Sequence, residues 1–200
     1  MKALLLSALT VDEERGAVVL DAVETALRER EREHEVDVVD IAAARVAPCT
    51  GCGSCGLKTP GRCVVNDDMQ GIYRQIVASD VLVLATPVRF GSYCAELKKA
   101  IDRFQPLMQP IYAVRSGEMH FRGRYDLPPL LGVGLVPEAA EDGASAADRG
   151  AEGDAFRFLI GRLAVNLDTP HAAAVFAGGD VDLARAELEG ALDSLQEVRR

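Results

Sequence analysis

The chain has 200 residues, 48% of them hydrophobic, with 31 acidic against 22 basic side chains and a formal charge of −9. That length suits one domain around a single buried core, and the acidic excess argues against nucleic acid and anionic membrane surfaces, both of which reward basic patches. No apolar run approaches the roughly 20 residues that span a bilayer, so no membrane segment is predicted.

Residues 2–9 (KALLLSAL) are continuously apolar, the pattern of a strand covered on both faces. Thr10 and Glu13 are spaced as a capping box, and the helix that follows aligns Ala17, Leu20, Val23, Ala26 and Leu27 on one stripe. Residues 28–35 (REREREHE) read as a solvated, charge-paired helix face, and residues 36–41 (VDVVDI) as a second strand. A cysteine-rich loop at 46–66 then stands where a crossover helix would begin. Asn66 or Asp67 is positioned to cap a helix carrying Met69, Ile72, Ile76 and Val77. Residues 80–85 (DVLVLA) and 130–136 (LLGVGLV) give the third and fourth strands, with a helix over 92–107 between them. Residues 106–129, with Pro106, Pro110, Pro128 and Pro129, read as an extended excursion. The small, polar stretch 143–153 reads as a mobile loop or the frayed start of a helix over 144–167. Residues 172–176 supply a fifth strand and 181–198 a final acidic helix.

Strands alternating with helices imply a parallel sheet with right-handed crossovers. Five such strands predict a doubly wound, flavodoxin-like α/β domain over residues 1–200. Its ligand site should lie at the strand carboxyl ends, in loops 7–14, 86–91 and 136–145.

Four of the five cysteines, Cys49, Cys52, Cys55 and Cys63, fall within 15 residues, interleaved with Gly51, Gly53, Gly56 and Gly61. A dense set of soft ligands with glycines that admit close backbone approach suits an iron–sulfur cluster. Two other readings stay open. Zinc is one, although zinc sites usually pair two separate Cys-x-x-Cys knuckles, and a metal-free or redox-active set of thiols is the other. Disulfides fit less well. Residues 1–9 lack a charged-then-apolar secretory design, so a reducing cytoplasm is expected, where structural disulfides are rare. Cys94, at the start of a helix, reads as a core residue. Residues 51–56 spell G-x-G-x-x-G, but Pro48 stands before them and Pro60 after, so the strand and helix of a dinucleotide fingerprint are missing.

The segments 48–52 (PCTGC), 61–69 (GRCVVNDDM), 85–91 (ATPVRFG) and 97–103 (LKKAIDR) resemble the NAD(P)H-dependent FMN reductase family, and within it the iron–sulfur flavoproteins. The resemblance is dense over 46–104. It implies a flavodoxin-like fold, FMN at the strand carboxyl ends and a [4Fe-4S] cluster on Cys49, Cys52, Cys55 and Cys63. It further implies electron transfer to a small acceptor or redox partner, and a homo-oligomer, dimeric or tetrameric. In that family the segment matching Thr86, Pro87, Val88, Arg89, Phe90 and Gly91 wraps the flavin ring. The loop after the first strand holds the phosphate, which assigns Ser7 and Thr10 to it. Arg89 stands where the family usually has an aromatic.

The first loop departs from the family's Ser- and Gly-rich pattern. Asp12, Glu13 and Glu14 place carboxylates where a phosphate would bind, at a helix N-terminus. The alternative to a flavoenzyme is therefore a flavin-free iron–sulfur carrier or a partner subunit of a redox complex. His34, His120 and His171 are isolated, and Asp67-Asp68 reads as a helix cap rather than a catalytic pair. Arg122 and Arg124 sit in the excursion without an assigned role.

Overall fold

The computed structural model describes residues 2–10, 14–30, 35–115, 117–136, 145–177 and 181–198. Asp12, Glu13, His34 and most of the 136–145 loop lie outside the described residues.

Strand β1 (Lys2–Ser7) lies between β2 (Glu35–Asp40) and β3 (Val81–Arg89), and the sheet continues through β7 (Leu130–Val136) to β8 (His171–Ala177). All four of these pairings are parallel, and the order β2-β1-β3-β7-β8 is the flavodoxin-like one. The expected fold is borne out. Successive side chains of β1 explain its unbroken apolar run. Leu4 and Leu6 enter a core under α3 (Met69–Ala78), α4 (Ala95–Asp102) and α5 (Ala146–Leu167), while Ala3 and Leu5 enter a second core under α1 (Glu14–Glu29) and α6 (Val181–Val198). With both faces covered, no polar alternation is possible. Gly132 lets α5 settle on β7, because a Cβ there would lie 2.4 Å from Ile160 Cγ1.

Several boundaries differ from expectation. The third strand does not stop at Ala85 but runs on through Thr86, Pro87, Val88 and Arg89. Pro87 is tolerated because β1 has already ended, at the Ser7–Ala85 pair, so on that side no N–H is required. Phe90 and Gly91 then turn the chain into β4 (Ser92–Tyr93), which pairs back on β3. The predicted helix over 92–107 is shortened to α4, followed by a 3-10 turn at Gln105–Leu107. The excursion is an antiparallel ribbon of β5 (Met108–Arg115) and β6 (Glu118–Gly123), with Tyr112 stacked on Phe121 at 5.0 Å. Of the stretch read as a mobile loop or a frayed helix start, residues 146–153 belong to α5, which begins at a capping box formed by Ser145 and Asp148. Among the described residues no helix is long and apolar enough to cross a membrane.

Candidate functional site

The site begins at a buried ion pair. Asp67, just before α3, and Arg103, just after α4, are both almost wholly excluded from solvent. Arg103 Nη1 and Nη2 donate to the two Asp67 carboxylate oxygens at 2.9 and 3.1 Å, a bidentate fork. The pair grips Ala47 from both sides: the Ala47 N–H donates to Asp67 Oδ2 at 3.0 Å, and Arg103 Nη1 donates to the Ala47 carbonyl at 2.7 Å. Asp67 also accepts from the Met69 N–H, so the cap reading holds in part, but its larger task is to anchor the entry of the cysteine loop. Burial pushes the Asp67 carboxyl up, yet Arg103 and the Ala47 N–H outweigh that and hold it below the usual range. Burial likewise opposes the Arg103 charge, and the Asp67 carboxylate restores it. Tyr73 closes the network by donating to the Arg103 carbonyl at 2.7 Å.

Beyond Ala47 the loop turns through Gly51 and Gly53, both left-handed with φ +66° and +67°, into the one-turn helix α2 (Ser54–Leu57). Gln70 fixes its far end by donating to the carbonyls of Cys63 and Val65. Cys49, Cys52, Cys55 and Cys63 all line one cavity of about 660 Å³. Its other walls are Leu57, Arg103, and Met108, Tyr112 and Phe121 of the ribbon. All four thiols are free. The Ser54 N–H and hydroxyl, with Thr50, hold the Cys52 thiol below its ordinary value. Burial pushes Cys55 up, and the neighbouring Cys63, Cys49 and Cys52 charges add to the rise. Among the described residues no three His, Cys, Asp or Glu side chains converge closely enough to hold a single metal ion. What the four thiols share is the wall of this one cavity.

The predicted flavin residues lie elsewhere; none of them lines this cavity. The Ala8 N–H donates to the Ala85 carbonyl at 2.8 Å, which ties the loop after β1 to β3. Ser7 is buried, and its hydroxyl accepts the Leu9 N–H at 3.0 Å. The Thr10 carbonyl packs so closely on α1 that a Cβ at Gly16 would lie 2.5 Å from it. Thr86 is fully buried, and its hydroxyl accepts the N–H of Cys94 at the start of α4. Val88 enters the core, whereas Arg89 is exposed. Phe90 stands 97% exposed with φ +52°, and its N–H donates to the Glu152 carboxylate at 3.1 Å. Gly91 follows with φ +70°, and a Cβ there would sit 2.5 Å from that of Ala155. Cys94 packs partly buried against the core, as expected.

The profile of the NADPH-dependent FMN reductase family matches residues 1–136. The chain belongs to that family. Iron-sulfur flavoproteins are among its curated relatives. One from Methanosarcina thermophila is 39% identical over 87 residues, 44% of each chain. Another, from Archaeoglobus fulgidus, is 40% identical over 85 residues, 42% of this chain and 38% of the relative. The chain therefore matches less than half the length of these relatives. Among solved structures, the NAD(P)H:quinone oxidoreductase from Methanothermobacter marburgensis aligns over all of this chain and 96% of its own, with TM-score 0.66 and 16% identity. The azoreductase from Bacillus anthracis aligns over 99% and 98%, with TM-score 0.61 and 14% identity. At such identities the structural matches speak for the FMN reductase fold alone.

Arg103 is the site residue that sequence reasoning missed. It closes the family-like segment 97–103, and its partner Asp67 lies 36 positions away, beyond the reach of local pattern.

Proposed function

We propose that the chain is an FMN-dependent oxidoreductase of the iron–sulfur flavoprotein type, with a [4Fe-4S] cluster on Cys49, Cys52, Cys55 and Cys63. The observation that carries this reading is the one cavity that all four free thiols line. Four soft thiolate donors on the wall of one cavity suit a soft iron–sulfur group. When bound, FMN supplies hydride and single-electron chemistry, and the cluster single-electron transfer.

The protein's own part is to hold and to shield. Asp67 and Arg103 fix the entry of the loop, Gln70 fixes the Cys63 end, and Leu57, Tyr112 and Phe121 give the cavity an apolar wall. At the strand carboxyl ends, the backbone around Ser7 and Thr10 and the turn at 86–91 are the surfaces offered to FMN, with the exposed Phe90 ring available for stacking. Electrons then pass to a small acceptor or a redox partner. The free thiols suit a reducing compartment such as the cytoplasm. Exposed Ile111 and Val114 of β5, Met119 of β6 and Phe158 of α5 support assembly as a homo-oligomer, which light scattering reads directly.

Anaerobic reconstitution with iron and sulfide tests the cluster: about four irons per chain are expected, and a Cys52→Ser chain should lose them. A chain that takes up no iron under these conditions sinks the cluster reading. Fluorescence titration with FMN and with riboflavin tests the flavin.

One observation favours the second reading, a flavin-free iron–sulfur carrier. The Ser7 and Thr86 hydroxyls and the Phe90 N–H, all expected to face FMN, are each engaged within the protein. If neither flavin binds, even after Asp12 and Glu13 are replaced by Ser, that reading takes the place of the first.

A further inference from the structure

Arg103 is 1% exposed and yet lines the thiol cavity. Among the described lining residues it is the cation. The lining carboxylate, Asp102, is paired with Lys98. Nη1 and Nη2 of Arg103 are satisfied by Asp67 and the Ala47 carbonyl, but its buried Nε finds no acceptor among the described residues. Native interiors rarely keep a charged donor in that condition without a use for it. Asp67 does not line the cavity, so the pair is a fixed dipole with its positive end toward the thiols.

We propose that Arg103 is a positioning residue for the group the four cysteines hold: its Nε–H is reserved for a sulfur of that group, and its charge raises the group's reduction potential. This rests on the cluster reading above. Hydrogen bonds to cluster sulfurs and net local charge are the levers by which a protein sets such potentials. Guanidinium suits the task because it stays charged when buried and leaves Nε–H free while both Nη groups bind a carboxylate.

The test is a redox titration of the reconstituted protein followed by electron paramagnetic resonance, beside iron analysis, for wild type, Arg103→Gln and Asp67→Asn. Both variants break the same ion pair. If Arg103 only held the loop in shape, the two would move the potential the same way or not at all. The proposal requires opposite signs. Arg103→Gln removes the near positive charge and should lower the potential by about 59 mV, a tenfold change in the one-electron ratio. Asp67→Asn leaves that charge uncompensated and should raise the potential. Equal or same-signed shifts overturn the proposal. Should either single variant fail to load iron, the double variant Asp67→Asn/Arg103→Gln is read instead. Loading at a potential below that of wild type supports the proposal, because the Nε–H donor and the nearer charge are both gone, and no loading or an unchanged or raised potential overturns it. A wild-type chain that itself takes up no iron marks the failure of the cluster reading, distinct from any outcome among the variants.

Discussion

The turn at Phe90 and Gly91 allows stability and binding to be set against each other. Arg89 pairs with Ser92 across it, so Phe90 and Gly91 are the two central residues of a hairpin turn, with φ +52° and +70°. Turns with both central residues at positive φ favour Asn-Gly, and a side chain such as Phe adopts that conformation at a cost of about 1–2 kcal/mol. Phe90 recovers little of this through burial, because it is 97% exposed. Phe90→Asn keeps the N–H that donates to Glu152 and relieves most of the strain. We expect a gain of about 0.5–1 kcal/mol, or roughly 1–4 °C in Tm for a chain of this size. The same change removes a ring from the surface proposed for FMN. An aromatic contact is worth about 0.5–1.5 kcal/mol, so FMN affinity should fall roughly 2- to 12-fold. Thermal unfolding and a fluorescence titration read the two effects on one preparation. A loss of stability above about 1 kcal/mol would refute the strain argument. Unchanged FMN affinity beside the predicted stabilisation would show that Phe90 does not face the flavin.

Three further outcomes are expected. Gly132→Ala forces a Cβ to 2.4 Å from Ile160 Cγ1 and should destabilise by about 1–3 kcal/mol in urea unfolding, with Ile160→Ala partly relieving it in the double variant. The lowered Asp67 carboxyl contributes stability that is fully present above the ordinary carboxylate range and is lost as pH falls through its depressed value. Asp67→Asn should therefore flatten the acid limb of stability against pH, and at pH 7 should cost about 3–5 kcal/mol, since it leaves Arg103 buried and unpaired. Cys94→Ser, outside the cavity, should leave reconstituted iron content unchanged where Cys55→Ser abolishes it.

The sheet was legible because burial on both faces of β1, β3 and β7 leaves unbroken apolar runs that admit few other readings. The end of β3 was not. Pro87 looks like a stop signal, and only the tertiary fact that β1 ends beside Ala85 makes it harmless. Helix α5 was legible over 144–167, within two residues of its start, and only the Gly-rich stretch 143–153 left loop or frayed helix open, which the capping box of Ser145 and Asp148 decides for residues 146–153. The ribbon at 108–123 was obscured by Pro110, together with an alternation that serves a cavity wall instead of the main core. At the site, the spacing of the cysteines announced their gathering. The Asp67–Arg103 pair bridges 36 positions, and local pattern carries no trace of such a partnership.

The double tether on Ala47 bears on the life history of the protein. In small zinc domains metal and fold arrive together, and removing one abolishes the other. Here the mouth of the cysteine loop is fastened by a carboxylate, a guanidinium and two backbone hydrogen bonds, none of which depends on iron. On the proposed cluster reading, a chain stripped of its iron should keep its scaffold and its receptacle, so that loss of the group would be an emptied socket open to reloading, with no need for resynthesis.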